Sequence, residues 1–158
     1  MPRRYFTVEQ ANTLIPDLKR QLTEALQLHR HLRGFVGELT DSDHEVTWAM
    51  LRGELELEDA GLDSQFALER ARAVYDLLRG LVEGMENRFG VDIRGIVDGV
   101  VAFPTWMDGE REVELSWRLG DEQVDHWHEL DDEPDARRSI EGHNFSGEPE
   151  EAQAQLSQ

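Results

Sequence analysis

Apolar residues recur along the front of the chain at alternating steps of three and four. Ile15, Leu18, Leu22, Ala25, Leu32, Val36 and Leu39 form one such stripe, with His29 at a core-type position within it. That spacing predicts a helix about 35 Å long at ~1.5 Å per residue, and a heptad-like stripe calls for a partner helix. The partner is legible from Ser64 to Phe89, where Ala67, Ala71, Val74, Leu78, Leu81, Met85 and Phe89 repeat the pattern before Gly90 stops it. At the start, Thr7-Val8-Glu9-Gln10 fits a capping box, so helix begins at Val8. Pro16 is expected to kink the chain near Leu14 and Ile15 and to open a second helical segment. Between the two long helices, a short helix or ordered loop is expected from Glu45 to about Leu57, with the alternating Glu54 to Glu58 leaving a strand open.

After Gly90 the period changes from 3.6 to two. Val100, Val101 and Phe103 form a run that Pro104 is expected to end, because proline donates no ladder hydrogen bond. Asp108-Gly109 marks a hairpin turn. Glu112 to Leu119 alternates with Val113, Leu115, Trp117 and Leu119 on the buried face, and Val124 to Leu130 supplies a third strand. The resulting expectation is an α+β fold. A coiled-coil-like helical hairpin over about 8–89 packs with a three-stranded antiparallel sheet over about 97–130, in a single domain of residues 1–133. Residues 134–158 are expected to be a flexible acidic tail, since they are too poor in apolar side chains to offset their ordering entropy.

Composition narrows the function classes. The net charge of -18 opposes nucleic-acid and anionic-membrane binding. Lys19 is the only lysine among 16 basic residues, a bias that either high-salt adaptation or GC-rich coding produces. With no cysteine there are no disulfides, thiolate metal sites or thiol nucleophiles. The opening residues contain no apolar run of signal-peptide type, and no stretch reaches the ~20 apolar residues of a membrane span, so a cytoplasmic location is expected.

The order and spacing of several motifs resemble a known family. Tyr5-Phe6-Thr7, Ala11-Asn12 and Leu14-Ile15-Pro16-Asp17-Leu18 open the chain, and Phe103-Pro104, Asp108-Gly109, Trp117-Arg118-Leu119-Gly120 and Trp127-His128-Glu129 follow. From Tyr5 to Leu130 this series is similar to the prokaryotic proteins catalogued as domain of unknown function 2203. The resemblance implies a shared fold and assigns no activity. Asp121 and His126 stand where the family tends to place Glu and an aromatic residue, and its Gly-Arg-rich ending survives loosely as Ala136-Arg137-Arg138.

The candidate chemistry is concentrated in the back half. His126 and His128 alternate on one strand and would offer two nitrogen ligands to a divalent metal, with Glu112 or Glu114 from the neighbouring strand as a third. Trp117, Arg118, Trp127, His128 and Glu129 come from adjacent strands and form a candidate ligand or partner site. Arg118 is expected to pair with Glu129 if Trp127 lies on the outer face. No familiar enzyme motif is present, and no cofactor is called for. Two readings follow. The favoured one is a non-enzymatic interaction module acting as a homodimer or with a protein partner. The alternative is a small-molecule or metal-binding protein, an enzyme included, centred on Arg118, His128 and Glu129.

Overall fold

A computed structural model of the chain describes residues 3–133 and 136–148. Its elements are α1 (Val8–Asp41), α2 (Trp48–Leu51), α3 (Leu62–Phe89), β1 (Asp92–Gly95), β2 (Val100–Met107), β3 (Arg111–Arg118), β4 (His126–His128), β5 (Arg138–Ser139) and β6 (Phe145–Ser146). The backbone gathers into two compact units, one of residues 1–22 with 85–158 and one of Thr23–Gly84, and both long helices contribute to each. Among the described residues no helix is long and apolar enough to cross a membrane.

The capping box forms as read. Thr7 Oγ1 accepts from the Gln10 amide at 3.0 Å, and Gln10 Oε1 accepts from the Thr7 amide at 3.0 Å. The expected break at Pro16 does not occur, because α1 continues through it as one helix of 34 residues. Proline forfeits a single bond to the Asn12 carbonyl, while Ala11 and Ile15 before it and Leu18, Leu22 and Ala25 after it are buried in one helical phase. Burial of that continuous stripe outweighs the lost bond.

In the helical unit the end of α1 meets the start of α3, where Leu39, Met50, Ala67 and Leu68 form a core that Val46 and Leu57 flank. Thr47 caps α2, which spans only four residues, and the Glu54 to Glu58 segment forms no strand. Arg72 of α3 holds this connection in place by donating to the carbonyls of Met50 at 2.7 Å and Leu55 at 2.6 Å.

The sheet differs most from expectation. It has six strands rather than three, in the order β1-β2-β3-β4-β5, with β6 on the outer edge of β2. β5 and β6 come from the segment assigned to the tail, so that segment adds to the sheet; residues 149–158 of the expected tail lie outside the described residues. β2 also runs through Pro104, which pairs with Glu114. The Pro104 carbonyl accepts from the Phe6 amide at 2.8 Å. Its nitrogen therefore faces the N-terminal segment and not β3, so no ladder bond to β3 is lost.

Pairing from β2 to β4 is in step and alternation sorts the faces. One face carries Val101, Phe103, Val113, Leu115, Trp117 and Trp127, all at most 5 % exposed. Phe6 meets Phe103 there edge-on at 5.3 Å. On the other face the side chains of β3 and β4 are polar, beside Val100, Ala102, Pro104 and Trp106 of β2.

Candidate functional site on the polar face of the sheet

The polar face takes Val100, Ala102, Pro104 and Trp106 from β2, Glu112, Glu114, Ser116 and Arg118 from β3, and His126 and His128 from β4. Glu114 and His128 are direct cross-strand partners. Both are buried, with side chains 1 % and 3 % exposed, and His128 Nε2 lies 3.9 Å from Glu114 Oε1. His128 Nδ1 is 2.8 Å from the Glu129 carbonyl. A carbonyl only accepts, so Nδ1 carries a proton. At 3.9 Å, Nε2 and the Glu114 carboxylate lie beyond hydrogen-bonding distance of each other.

Arginines roof this pair. Arg94 donates to Glu114 Oε2 at 2.7 Å. Arg3 contacts Asp92 at 3.2 Å, Glu112 at 3.6 Å and Glu114 at 3.9 Å. Burial works against the Arg94 charge, yet the hydrogen bond and charge of Glu114, with Asp92 beside it, raise its pKa above the ordinary value. Tyr5 packs against Trp106 at 5.8 Å, and its hydroxyl pKa is raised by burial and then by the Glu112 charge.

Five buried side-chain polar atoms lack a hydrogen-bond partner among the described residues: Trp106 Nε1, Glu112 Oε1, Arg118 Nε, His128 Nε2 and Arg137 Nε. Four belong to residues of the polar face, and Arg137 reaches it beside His126. An unmade buried hydrogen bond costs about 1–3 kcal/mol. Their concentration on one face, with none on the other, is the mark of a surface built to receive polar groups. A cleft of about 590 Å³ adjoins it, lined by Arg3, Arg4, residues 86–92 and Pro104. Arg4 donates to the Phe89 carbonyl at 3.0 Å and stacks over Phe6 at 4.4 Å, while Arg88 lies over the Phe89 ring at 5.3 Å.

The residues singled out in the sequence separate between the two faces. Arg118 and His128 share the polar face. Trp117 and Trp127 are buried on the apolar one, where Arg111 and Arg138 stack over Trp127 at 5.9 and 5.4 Å. Glu129 pairs with Arg111 at 2.7 Å, so the expected Arg118 and Glu129 pair does not form. The reason is register: Leu115 stands opposite Trp127 with no bulge, which puts Glu129 on the Trp127 side.

His126 and His128 do not converge on one centre either. Among the described residues one group of three ligating side chains comes together, Asp121, Asp125 and His126. Two of its members contact the guanidinium of Arg137, which bonds Asp121 and lies 2.9 Å from His126 Nδ1, so the chain supplies its own cation there. Sequence reasoning missed Arg3, Arg4, Tyr5 and Arg94. The only signal for them was a basic pair beside an aromatic pair in a strongly acidic chain.

The sequence model described as an uncharacterized conserved protein family, DUF2203, matches residues 4–140, and the chain belongs to that family. No curated protein and no solved structure matches it.

Proposed function

We propose that this member of the family is a small-molecule-binding protein whose site is the polar face of the sheet with its adjoining cleft. The observation that carries this reading is that four of the five unpartnered buried polar atoms belong to residues of this face, which also holds the buried titratable groups Glu114 and His128. Cleft volume suits the 300–1,000 Å³ of ordinary small-molecule sites. Arg3 and Arg94, each still 40 % or more exposed, are side chains that a ligand displaces on entry. A thermal-shift screen of carboxylates, amines, amino acids, sugars and nucleosides tests it. A ligand at 100 times its Kd stabilises by about 2.7 kcal/mol, or roughly 5–10 °C in a chain of this size. One class should produce such a shift in the wild type and a much smaller one in Glu114→Gln. Equal responses of the two proteins to every class would sink the proposal.

A second reading has its own observation. Trp48, Leu55, Leu62, Phe66 and Leu77 of the helical unit are 49–70 % exposed, against two comparable residues, Val97 and Leu130, in the sheet unit. Self-association through that unit would cover them. Light scattering at low micromolar concentration decides it, and an 18 kDa particle throughout would remove it.

A further inference from the structure

We infer that a groove in the helical unit, sharing no residue with the polar face, binds a monocarboxylate with an apolar body, of the fatty-acid or arylalkanoate kind. The groove lies between α1 and the segment that carries α2, and its volume of about 480 Å³ falls within the range of small-molecule sites. Leu32 of α1 and Leu51 of α2 are its most buried apolar lining, at 7 % and 5 % exposure, and Val36 and Val46 are half-buried beside them. Trp48 is 65 % exposed and packs against the Tyr75 ring of α3 at 6.1 Å, which leaves an aromatic wall for a ligand to cover. Three lining residues are polar. Thr47 Oγ1 already accepts from the Met50 amide at 3.2 Å. The side chains of His29 and Arg33, one turn apart on α1, make no hydrogen bond or ion pair among the described residues.

Charge selects the ligand. The chain has 34 acidic residues, yet α1 carries none from Ala25 to Gly37, the stretch that holds His29, Arg30, His31 and Arg33. Arg33 therefore lacks a carboxylate at the three- or four-residue spacing that pairs Arg20 with Asp17 and Arg79 with Glu83. No described lining residue of the groove is acidic. A permanent cation beside apolar walls suits an anionic head on an apolar body, and the planar guanidinium matches a carboxylate. An amine would meet Arg33 as a like charge. A sugar would leave its hydroxyls unpaired against Leu32, Val36, Val46 and Leu51. A phosphate dianion would bring two charges to one permanent cation in a protein of net charge -18.

The test titrates octanoate, phenylpropanoate, octanol and octylamine singly into the full chain and follows backbone amide shifts by NMR. The carboxylates should shift amides of residues 29–36 and 46–51 and leave those of residues 112–118 unmoved. Octanol should bind about tenfold more weakly than octanoate, the effect of one lost charge-assisted hydrogen bond, and octylamine more weakly still. Arg33→Gln, at an exposed position with no bond to lose, should bring octanoate to the affinity of octanol, leave octanol unaffected and keep the wild-type melting temperature. Octanol or octylamine binding as tightly as octanoate overturns the anionic head, and so does an Arg33→Gln protein that binds octanoate like the wild type. Shifts of the same amides on dilution of the protein alone, with no response to either carboxylate, give the groove to a second copy of the chain and overturn the proposal. Silence of these amides toward every probe overturns it as well.

Discussion

Asn12 Oδ1 accepts a 2.6 Å hydrogen bond from the Val124 amide, joining the second turn of α1 to the connection between β3 and β4 across 112 residues of sequence. Val124 is 1 % exposed, so its amide has no access to water as a substitute. Asn12→Ala should therefore destabilise the protein by about 1–3 kcal/mol, the cost of leaving a buried donor unpaired. Chemical denaturation checks this, and Asn12→Asp, which keeps an acceptor, should lose less. Equal losses would mean that the contact contributes packing only.

Glu114 is held by Arg94 at 2.7 Å while buried to 1 %. Because Arg94 is 40 % exposed, solvent screens the pair, and a double-mutant cycle with Arg94→Gln and Glu114→Gln should give a coupling of about 1 kcal/mol. Arg94→Gln alone should cost more than Glu114→Gln alone, since it leaves a buried carboxylate with no ionisable partner nearer than Arg3 and His128, each at 3.9 Å. The reverse order would show that the Glu114 carboxylate stabilises the fold through contacts other than Arg94.

Arg72 joins three points of the connection between the long helices: the Met50 and Leu55 carbonyls and the Glu56 carboxylate at 3.3 Å. Replacement by Ala should raise hydrogen exchange at residues 48–57 by tenfold or more, a local loss of about 1.4 kcal/mol, with little change at β2 and β3. Uniform acceleration over the whole chain would instead mean that the two units unfold together.

The Asp108 carboxylate is held below the ordinary carboxylate range, first by the Asn144 amide at 2.8 Å and next by His143, also at 2.8 Å. A depressed carboxylate stabilises above its unfolded pKa and loses that contribution as pH falls through the folded value. The contact between the Asp108 turn and the strand β6 that follows Asn144 should thus be intact above about pH 4 and loosen below it. Asp108→Asn keeps the turn, where Asp108 has a φ of 56°, and should abolish that acid step in the Asn144 amide shift.

The charge of -18 repels itself at low ionic strength. If the lysine-poor acidic surface is a high-salt adaptation, the melting temperature should rise between dilute buffer and molar KCl, as the Debye length falls from ~30 Å to ~3 Å. A flat response would assign the bias to coding alone.

Local sequence determined the helical stripes of α1 and α3, though not the passage of α1 through Pro16, together with the capping box at Thr7, the hairpin at Asp108 and the burial of Val113, Leu115 and Trp117. Each is decided by residues within a few positions, whose spacing matches a helix or a strand whatever lies elsewhere. Tertiary structure decided what periodicity does not encode. Strands β5 and β6 have two residues each, too few to show a pattern, and exist because they pair with β4 and β2. Pro104 is tolerated in β2 because Phe6, 98 positions earlier, occupies the edge toward which its nitrogen points. The site follows the same rule. Alternation placed Arg118 opposite Trp117, but only the register, with Leu115 on Trp127 and Glu114 on His128, sent Glu129 to Arg111 and joined Glu114 to His128. Arg3 and Arg94 reach Glu114 from segments 111 and 20 residues away, and chain folding alone brings those charges over one buried carboxylate.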